Sequence, residues 1–218
     1  MLISKHISRD FNPVKIKQTV SQALELTEKY GLSHIAIVNE GEFLGNLSKE
    51  ILEENNPETK ISELSEFFEF YFVEEKASLL DAVQKFNNQM ANILPVLNED
   101  HKFTGFLMLD DAISGLSSLL LITEPGSMMI IEVQQKKLSF AEISRIAESN
   151  NVRIIGMFVT SFRDDYVQVA LKIAGENLAS VGETFERFDY NIVYKFFKDN
   201  KENLIKDRFD QLMKYLDV

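Results

Sequence analysis

The 218-residue chain contains no cysteine, which excludes disulfide bonds, thiolate metal sites and cysteine nucleophiles. Its three histidines (His6, His34 and His101) lie in different local contexts, so we expect no histidine metal cluster. Basic runs are also missing: the nearest is Lys136-Lys137, in a chain whose net charge is −11. Binding to nucleic acid depends on clustered Lys and Arg, so neither nucleic acid nor an anionic membrane is an expected partner.

Long apolar runs are absent as well. No stretch reaches the length of a membrane span, and the N-terminal residues MLISKHISRDF are too polar for a signal peptide. These features predict a cytoplasmic protein. An apolar content of 45%, with 17 Phe, indicates globular units with filled cores. The length allows one large domain or two to three small ones.

The first half of the chain contains an internal repeat. Residues 78–111 repeat the pattern of residues 19–48, and each copy is predicted to form an amphipathic helix, a buried apolar strand, a polar turn, a second strand and the start of another helix. A repeat of about sixty residues implies two similar units that pack on one another, since neither buries its apolar face alone. The matching pairs are Ala23 with Ala82, Asn39 with Asn98 and, after a one-residue insertion, Phe43 with Phe103 and Gly45 with Gly105.

The pattern within each copy resembles one known family. A helix opens with Thr19 or Ser78, and the apolar strand that follows reads SHIAIV in one copy and NILPVL in the other. After a charged turn, a strand reaches Gly, with Ser48 or Met108 three residues further on. This pattern resembles a tandem of cystathionine-β-synthase (CBS) domains, the pair called a Bateman module. The resemblance implies a regulatory module that binds an adenosine-containing nucleotide.

The resemblance also implies where such a ligand would bind. In CBS modules a Thr or Ser after the strand-ending Gly binds phosphate, and an Asp three residues further holds the ribose hydroxyls. The second copy has Asp111 at the ribose position but Met108 in place of the hydroxyl residue, while the first copy has Ser48 but Ile51 in place of the Asp. We therefore expect the cleft beside Asp111 to retain ribose binding and the cleft beside Ser48 to hold a nucleoside less well. The expected lining residues are Asn92, Ile93 and Leu94 for the Asp111 cleft, and His34 and Ile35 for the Ser48 cleft.

Structural interpretations stand beside these ligand roles. Asp111 is equally explained as the cap of a helix that begins at Ala112, and Ser is likewise a preferred helix cap at position 48. His34 is explained as the end of a turn that contacts solvent or backbone. No catalytic motif is present, so the sequence predicts neither an enzyme nor a bound cofactor or metal.

The second half begins after Thr123-Glu124-Pro125-Gly126, where Pro and Gly interrupt helical structure. Its predicted β-α-β-β-α-β order is the ferredoxin-like arrangement, and the segment resembles an ACT domain. ACT domains often bind amino acids with a Gly-containing loop after the first strand, but residues 134–138 contain no Gly. We therefore expect an assembly role, in which the edge of the sheet pairs with a second copy. From Asp199 onward the spacing of apolar residues predicts an amphipathic helix.

Together these features predict an α+β fold in which a tandem CBS pair precedes a ferredoxin-like ACT domain, a combination similar to acetoin-utilisation-type proteins. The predicted function is a regulatory sensor that forms homodimers, binds AMP, ADP, ATP or another adenosine compound, and acts on a target protein. Two alternatives are a structural or interaction module with empty CBS clefts, and an amino-acid sensor that uses the ACT domain. The predicted domains are residues 1–122 (repeats 1–57 and 58–122), 123–198 and 199–218.

Overall fold

A computed structural model describes residues 2–175 and 178–196 of the chain. The fold divides into two compact units, of which the first ends at Leu119 and the second begins at Leu120. The amphipathic helix predicted from Asp199 lies outside the described residues. Each unit is built around its own sheets and cores, and the predicted α+β class is confirmed.

The first repeat forms a small three-stranded sheet with helices packed on it. Strand β1 pairs in parallel with β2, which pairs antiparallel with β3, so β2 is the central strand. Five of its six residues are buried, as the continuous apolar run predicts. The elements are β1 (Val14–Lys15), α1 (Val20–Tyr30), β2 (His34–Asn39), β3 (Glu42–Ser48) and α2 (Lys49–Glu53).

The second repeat forms the same arrangement. Its central strand is completely buried, again with one parallel and one antiparallel neighbour. Pro95 lies in this central strand, but the parallel partner pairs only with Val96 and Leu97, so the missing N–H of Pro95 interrupts no bond on that side. The elements are β4 (Val73–Glu74), α3 (Leu79–Gln89), β5 (Ile93–Leu97), β6 (Phe103–Met108) and α4 (Leu109–Ser117).

Matching caps begin the first long helix of each repeat. Thr19 accepts a hydrogen bond from the Gln22 N–H and Ser78 accepts one from the Asp81 N–H, and both form capping boxes that satisfy otherwise unpaired helix donors. The C-terminal caps are also equivalent in position. Gly31 adopts a left-handed conformation with φ 64°, as predicted, and Met90 adopts φ 47° at the matching position of the second repeat.

Gly45 and Gly105 occupy matching positions in β3 and β6, next to a residue that pairs with another segment of the chain. Asn46 pairs with Glu69, and Phe106 pairs with Ser8. A Cβ at residue 105 would lie 2.5 Å from Ile7 Cγ2 and 2.7 Å from the Ser8 carbonyl oxygen. Glycine is therefore required for the close approach of the two chain segments.

Two predicted boundaries were wrong. The apolar run in the sequence predicts a short strand at Phe70–Val73, but the strand is Val73–Glu74, because only these two residues pair with β5. The acidic pair Asp110-Asp111 predicts a helix that starts there and continues to about Leu121. The helix begins instead at Leu109 and ends at Ser117, followed by the separate short helix α5 (Leu120–Thr123).

The second unit contains a four-stranded antiparallel sheet in the order β10-β7-β9-β8, which confirms the predicted ferredoxin-like topology. Its core lies between the sheet and two helices and includes the fully buried Phe185 and Tyr190. Within the described residues β8 is an edge strand, and it carries the exposed side chains of Phe158 and Phe162. The elements are β7 (Ser127–Gln134), α6 (Phe140–Ser149), β8 (Arg153–Arg163), β9 (Tyr166–Ala174), α7 (Leu178–Arg187) and β10 (Asn191–Phe196).

Candidate functional site

Two clefts are related by the repeat, and they differ in chemistry. One, named here the His34 cleft, is a cavity of about 460 Å³ in the first unit. The other, named here the Asp111 cleft, is defined by the matching positions of the second repeat: Asn92, Ile93, Met108 and Asp111. The His34 cleft is lined by Ser33, His34, Ser48, Lys49, Glu50, Glu53, Glu69, Gln89 and Met90.

His34 is the first residue of β2, where it pairs with Ser48 of β3. Its side chain lines the cleft although the residue is only 8% exposed. Burial lowers the pKa of His34 below its usual value, and the negative charges of Glu69 and Glu50 offset part of that effect. The imidazole is therefore neutral near pH 7.

The hydrogen bonds around His34 determine which of its ring nitrogens carries the proton. Ser33 Oγ lies 2.9 Å from His34 Nδ1 and donates its single proton to Asn92 Oδ1, also at 2.9 Å. The Ser33 hydroxyl must therefore accept from His34, so the proton of the neutral ring is assigned to Nδ1. Nε2 is left as a bare acceptor, and it has no hydrogen-bond partner among the residues that the structure describes.

Asn92 uses its side chain to join the two repeats. Its Oδ1 accepts from the Ser33 N–H at 2.9 Å, and its Nδ2 donates to the Gly31 carbonyl oxygen at 2.7 Å. The Asn92 backbone N–H donates to Ser33 Oγ at 2.9 Å. Asn92 was predicted to line the Asp111 cleft, but both polar atoms of its side chain are bonded to residues of the first repeat.

Ser48 lines the His34 cleft and is also the N-cap of α2, where its Oγ accepts from the Ile51 N–H at 3.3 Å. The structural interpretation of Ser48 as a cap is thus confirmed. Ile35, in contrast, is 1% exposed and belongs to the core of the first repeat. The structure therefore brings His34 and Ser48 together at the cleft and places Ile35 behind it.

Sequence reasoning missed two residues near this cleft, Asn46 and Tyr71, and seven that line it: Ser33, Lys49, Glu50, Glu53, Glu69, Gln89 and Met90. Asn46 is buried and donates from Nδ2 to the Tyr71 carbonyl oxygen at 2.8 Å, which holds the segment that carries Glu69 and Tyr71. The Tyr71 ring meets His34 edge-on, with centroids 6.0 Å apart. Its hydroxyl is buried and has no hydrogen-bond partner within the described residues, and both burial and the charge of Glu69 raise the pKa of Tyr71. The signal available in the sequence was Asn46, a polar residue at the position where the other repeat has Phe106.

Two positions of the Asp111 cleft, Ile93 and Met108, belong to an apolar cluster that also contains Phe11. The Phe11 ring stacks on Tyr30 and on Phe106, with centroid distances of 4.5 Å in both pairs. Ile93 and Phe106 are almost completely buried, and Met108 packs against the same apolar cluster between the repeats. The region between these side chains is therefore core.

Asp111 and Leu94 complete the set of predicted site residues. Met108 is the N-cap of α4, so Asp111 is the third residue of that helix, and its interpretation as the cap of a helix beginning at Ala112 was wrong. Its carboxylate lies in the first turn, where negative charge favours the helix dipole. Leu94 is fully buried in the core of the second repeat.

The rim of the His34 cleft is acidic. Glu50, Glu53 and Glu69 line it, against one cation, Lys49, whose Nζ lies 3.4 Å from a Glu53 carboxylate oxygen. Carboxylates accept hydrogen bonds from hydroxyl and amine donors and repel phosphate. Among the described residues, no group of three or more His, Asp or Glu side chains is placed to hold a metal ion.

A wider groove of about 960 Å³ runs beside α1 and the segment 10–15. Its lining mixes both signs of charge, including Lys15, Lys29 and Glu25, all three of which are exposed. The one aromatic side chain of this segment, Phe11, is already packed against Tyr30 and Phe106. The His34 cleft is the better candidate because it contains a buried polar group with a free hydrogen-bonding atom.

In the second unit, the loop after β7 is a 3₁₀ turn at Gln135–Lys137. It is closed by bonds from the Gln135 N–H to the Asp165 carbonyl oxygen at 2.7 Å and from the Leu138 N–H to the Gln135 carbonyl oxygen at 3.2 Å. The loop thus satisfies its own backbone donors, which leaves fewer of them to bind a ligand carboxylate.

The repeated β-α-β-β-α units and the clefts between them define a paired regulatory-domain module. The CBS domain family matches residues 3–52 and 60–118, which together make up half of the chain. The chain therefore belongs to the CBS domain family, whose domains are regulatory modules. No curated protein matches the chain.

Several solved structures resemble this one over about half of the chain. A CBS domain pair/ACT domain protein from Thermotoga maritima is 24% identical, covering 53% of this chain and 96% of its own, with a TM-score of 0.48. The CBS domains of a transcriptional regulator from Streptococcus pneumoniae are 15% identical over 52% of this chain and 98% of theirs, with a TM-score of 0.46. The CBS pair of a putative Mg²⁺ transporter from Shewanella oneidensis is 20% identical over 53% and 69%, also with a TM-score of 0.46.

In the part of the chain that the structure describes, every helix is too short or too polar to cross a membrane.

Proposed function

We propose that this protein is a non-enzymatic regulatory sensor whose CBS pair binds an adenosine-containing compound in the His34 cleft. The single observation that supports this site is a difference between matching positions of the two repeats. His34 lines a polar cavity, whereas Ile93, at the same position of the second repeat, is buried in an apolar cluster. A volume of about 460 Å³ lies within the range of small-molecule sites, roughly 300–1,000 Å³. The proposal therefore moves the ligand from the Asp111 cleft to the His34 cleft.

The polar groups of this cleft fit a nucleoside. Glu69 and Glu50 offer carboxylate oxygens that can accept from a pair of ribose hydroxyls, and His34 offers a bare Nε2 to a ligand N–H. Met90, which is 88% exposed, and the stem of Gln89 supply apolar surface at the same opening. A base needs such a surface for its faces and polar partners for its edge.

The proposed mechanism is a shift in population. Residues from both repeats line the His34 cleft, because Ser48 belongs to the first repeat and Gln89 to the second. A ligand that contacts both would favour one arrangement of the repeats over another, and the second unit or a target protein would respond to that change. Binding without differential affinity for the two arrangements would have no regulatory effect.

Thermal unfolding of the full chain with separate additions of adenosine, AMP, ADP, ATP, S-adenosylmethionine and single amino acids tests the proposal. A ligand at a hundred times its dissociation constant adds about 2.7 kcal/mol. Stabilisation by an adenosine compound should be weakened in Glu69→Gln and kept in Asn88→Ala, an exposed change on α3. If Asp111→Ala weakened this stabilisation and Glu69→Gln did not, the ligand would bind in the Asp111 cleft instead.

The same experiment separates the alternatives. No stabilisation by any compound would support a structural or interaction module with empty clefts. Stabilisation by an amino acid alone, unaffected by Glu69→Gln, would place the sensing site in the second unit.

We propose further that the second unit is an ACT-like domain that forms a homodimer through β8, in line with the resemblance to acetoin-utilisation-type proteins. An eleven-residue edge strand with exposed Phe158 and Phe162 is the type of edge that pairs with another strand. Light scattering during size-exclusion chromatography should give a dimer mass that falls in the double variant Phe158→Lys and Phe162→Lys. The same substitution at exposed Phe188, which follows α7, is a matched control. A wild-type monomer would contradict this part of the proposal.

A further inference from the structure

The hydrogen-bonding atoms of the His34 cleft indicate the class of its ligand more specifically than its volume does. His34 is more than nine-tenths buried, its side chain lines the cavity, and its Nε2 is an acceptor without a partner among the described residues. Nε2 is open to solvent at the cleft, so a ligand that displaces this solvent without offering a donor leaves the acceptor unpaired, which costs free energy. A ligand that enters the cleft should therefore present an N–H or O–H donor to this atom.

The Ser33 hydroxyl fixes His34 Nε2 as an acceptor. It is held by two bonds to Asn92, one in which it donates and one in which it accepts, so it can only accept from His34. Neutral His34 cannot offer Nε2–H without breaking this network, and burial, which lowers the pKa of His34, disfavours the doubly protonated ring that could. An acceptor atom of a ligand, such as a phosphate oxygen, would meet the lone pair of Nε2 and be repelled.

The negative charge at the opening of the His34 cleft also disfavours a ligand that carries phosphate. Glu50, Glu53 and Glu69 line it, and Lys49 is already within 3.4 Å of Glu53. Like charges repel one another, so these carboxylates oppose the entry of phosphate. In the second repeat, Ile93 and Met108 stand at the positions of His34 and Ser48. Asp110 matches Glu50 and Asp10 matches Glu69, so among the rim carboxylates only Glu53 has an apolar counterpart, Ile113.

From these three observations, we infer that the His34 cleft selects adenosine compounds that carry no phosphate, binding a ligand donor at His34 Nε2 and favouring neutral or positively charged groups at its acidic rim. The inference rests on the proposed function, because it names the class of ligand for the same site. It also assigns a specificity role to Glu50 and Glu53, which determine the charge at the opening.

The test measures dissociation constants of the full-length protein by isothermal titration calorimetry at fixed ionic strength. Adenosine and the cationic S-adenosylmethionine should bind at least tenfold more tightly than AMP and ATP. Glu50→Lys, an exposed change that leaves the core intact, should narrow or reverse this ratio for AMP. Glu28→Lys makes the same charge change at an exposed position of α1 that does not line the cleft, and should leave the ratio as in the wild type.

The outcomes separate the inference from the function on which it rests. Tighter binding of AMP or ATP than of adenosine would overturn the inference and leave the proposed sensor intact. Binding of no adenosine compound would overturn both. A ratio that changes equally in Glu50→Lys and Glu28→Lys would show a general effect of net charge and would also overturn the assignment to this rim. A second variant, His34→Phe, should lose adenosine affinity by tenfold or more while its circular dichroism spectrum remains that of the wild type, and unchanged affinity would exclude Nε2 as the acceptor.

Discussion

Ser33 and Asn92 occupy matching positions of the two repeats, 59 residues apart, and bind each other. The Asn92 N–H donates to Ser33 Oγ, while Asn92 Oδ1 accepts from both the hydroxyl and the backbone N–H of Ser33, each at 2.9 Å. The contact joins the start of β2 to the start of β5. It also fixes the tautomer of His34, so a structural contact between the repeats determines the chemistry of the cleft.

Removal of this contact should destabilise the first unit. Asn92→Ala deletes bonds to Ser33 and to the Gly31 carbonyl oxygen, each worth about 1 kcal/mol net, so we expect a loss of roughly 2–3 kcal/mol. Urea unfolding followed by circular dichroism measures the change. Asn88→Ala, on the exposed side of α3, should change stability by less than about 0.5 kcal/mol. Equal losses in the two variants would show that the contact adds nothing.

Phe11 and Phe70 occupy matching positions of the two repeats, and their substitution compares a packed aromatic ring with an exposed one. Phe11 is half-buried and stacked on both faces, whereas Phe70, at the equivalent position, is 70% exposed. We expect Phe11→Ala to cost roughly 2–3 kcal/mol and Phe70→Ala less than about 1 kcal/mol, because only the first leaves a cavity between aromatic rings. The same unfolding measurement gives both values. Similar costs at the two positions would contradict the packing described for Phe11.

Gly105 should tolerate a side chain less well than Gly45. A Cβ at residue 105 would meet Ile7 at 2.5 Å and the Ser8 backbone at 2.7 Å, whereas a Cβ at residue 45 would meet Phe68 at 3.0 Å. Both residues have positive φ, at 157° and 150°. We expect Gly105→Ala to cost roughly 2–4 kcal/mol and Gly45→Ala about half as much. Each Cβ would meet a backbone oxygen, but at 2.7 Å for residue 105 and 3.3 Å for residue 45. Midpoints of thermal unfolding, compared at one pH, provide the test.

The burial of His34 predicts a dependence of stability on pH. Its folded pKa lies below the unfolded value near 6.5, so the unfolded chain takes up the proton first as the pH falls. The free energy of unfolding should therefore be highest above about pH 6.5, fall as the pH drops below it, and level off once the folded imidazole is protonated. Glu69 and Glu50 face the ring and reduce the effect without reversing it.

The measurement compares the free energy of unfolding at about pH 8 and about pH 5.5. The decrease should be smaller in His34→Phe than in the wild type, since that variant has no proton to bind at this position. His101→Asn is the matched control, because His101 is exposed and Asn accepts the left-handed conformation found there, with φ 57°. A decrease of the wild-type size in His34→Phe would assign the pH dependence to other groups.

The sequence predicted the repeat and the ferredoxin-like order because both depend on periodic patterns. The apolar runs around Ile37 and Val96, the caps at Thr19 and Ser78, and the αL position at Gly31 are local signals, and local signals determine these elements. The start of α4 was misplaced by one or two residues because Met108 caps without a side-chain bond. A cap of that kind leaves no polar residue to mark the boundary.

The site was less predictable, because the shape of a cleft depends on which side chains of the two repeats meet. Phe11 and Phe106 are 95 residues apart, and nothing in either local sequence indicates that their rings stack. Glu69 lines the His34 cleft and Tyr71 contacts the His34 ring, and both lie in a segment with no regular secondary structure, so no pattern marks them. The family motif directs attention to Asp111, whereas the polar groups with free hydrogen-bonding capacity lie in the other repeat.

Because the residue that matches His34 in the second repeat is the buried Ile93, the proposed ligand would bind at one site per chain, beside His34. Its occupancy then rises hyperbolically with concentration, with a Hill coefficient of one within each subunit. Any steeper response would have to come from communication between subunits, so the duplicated half of this chain is suited to report a concentration in a graded manner.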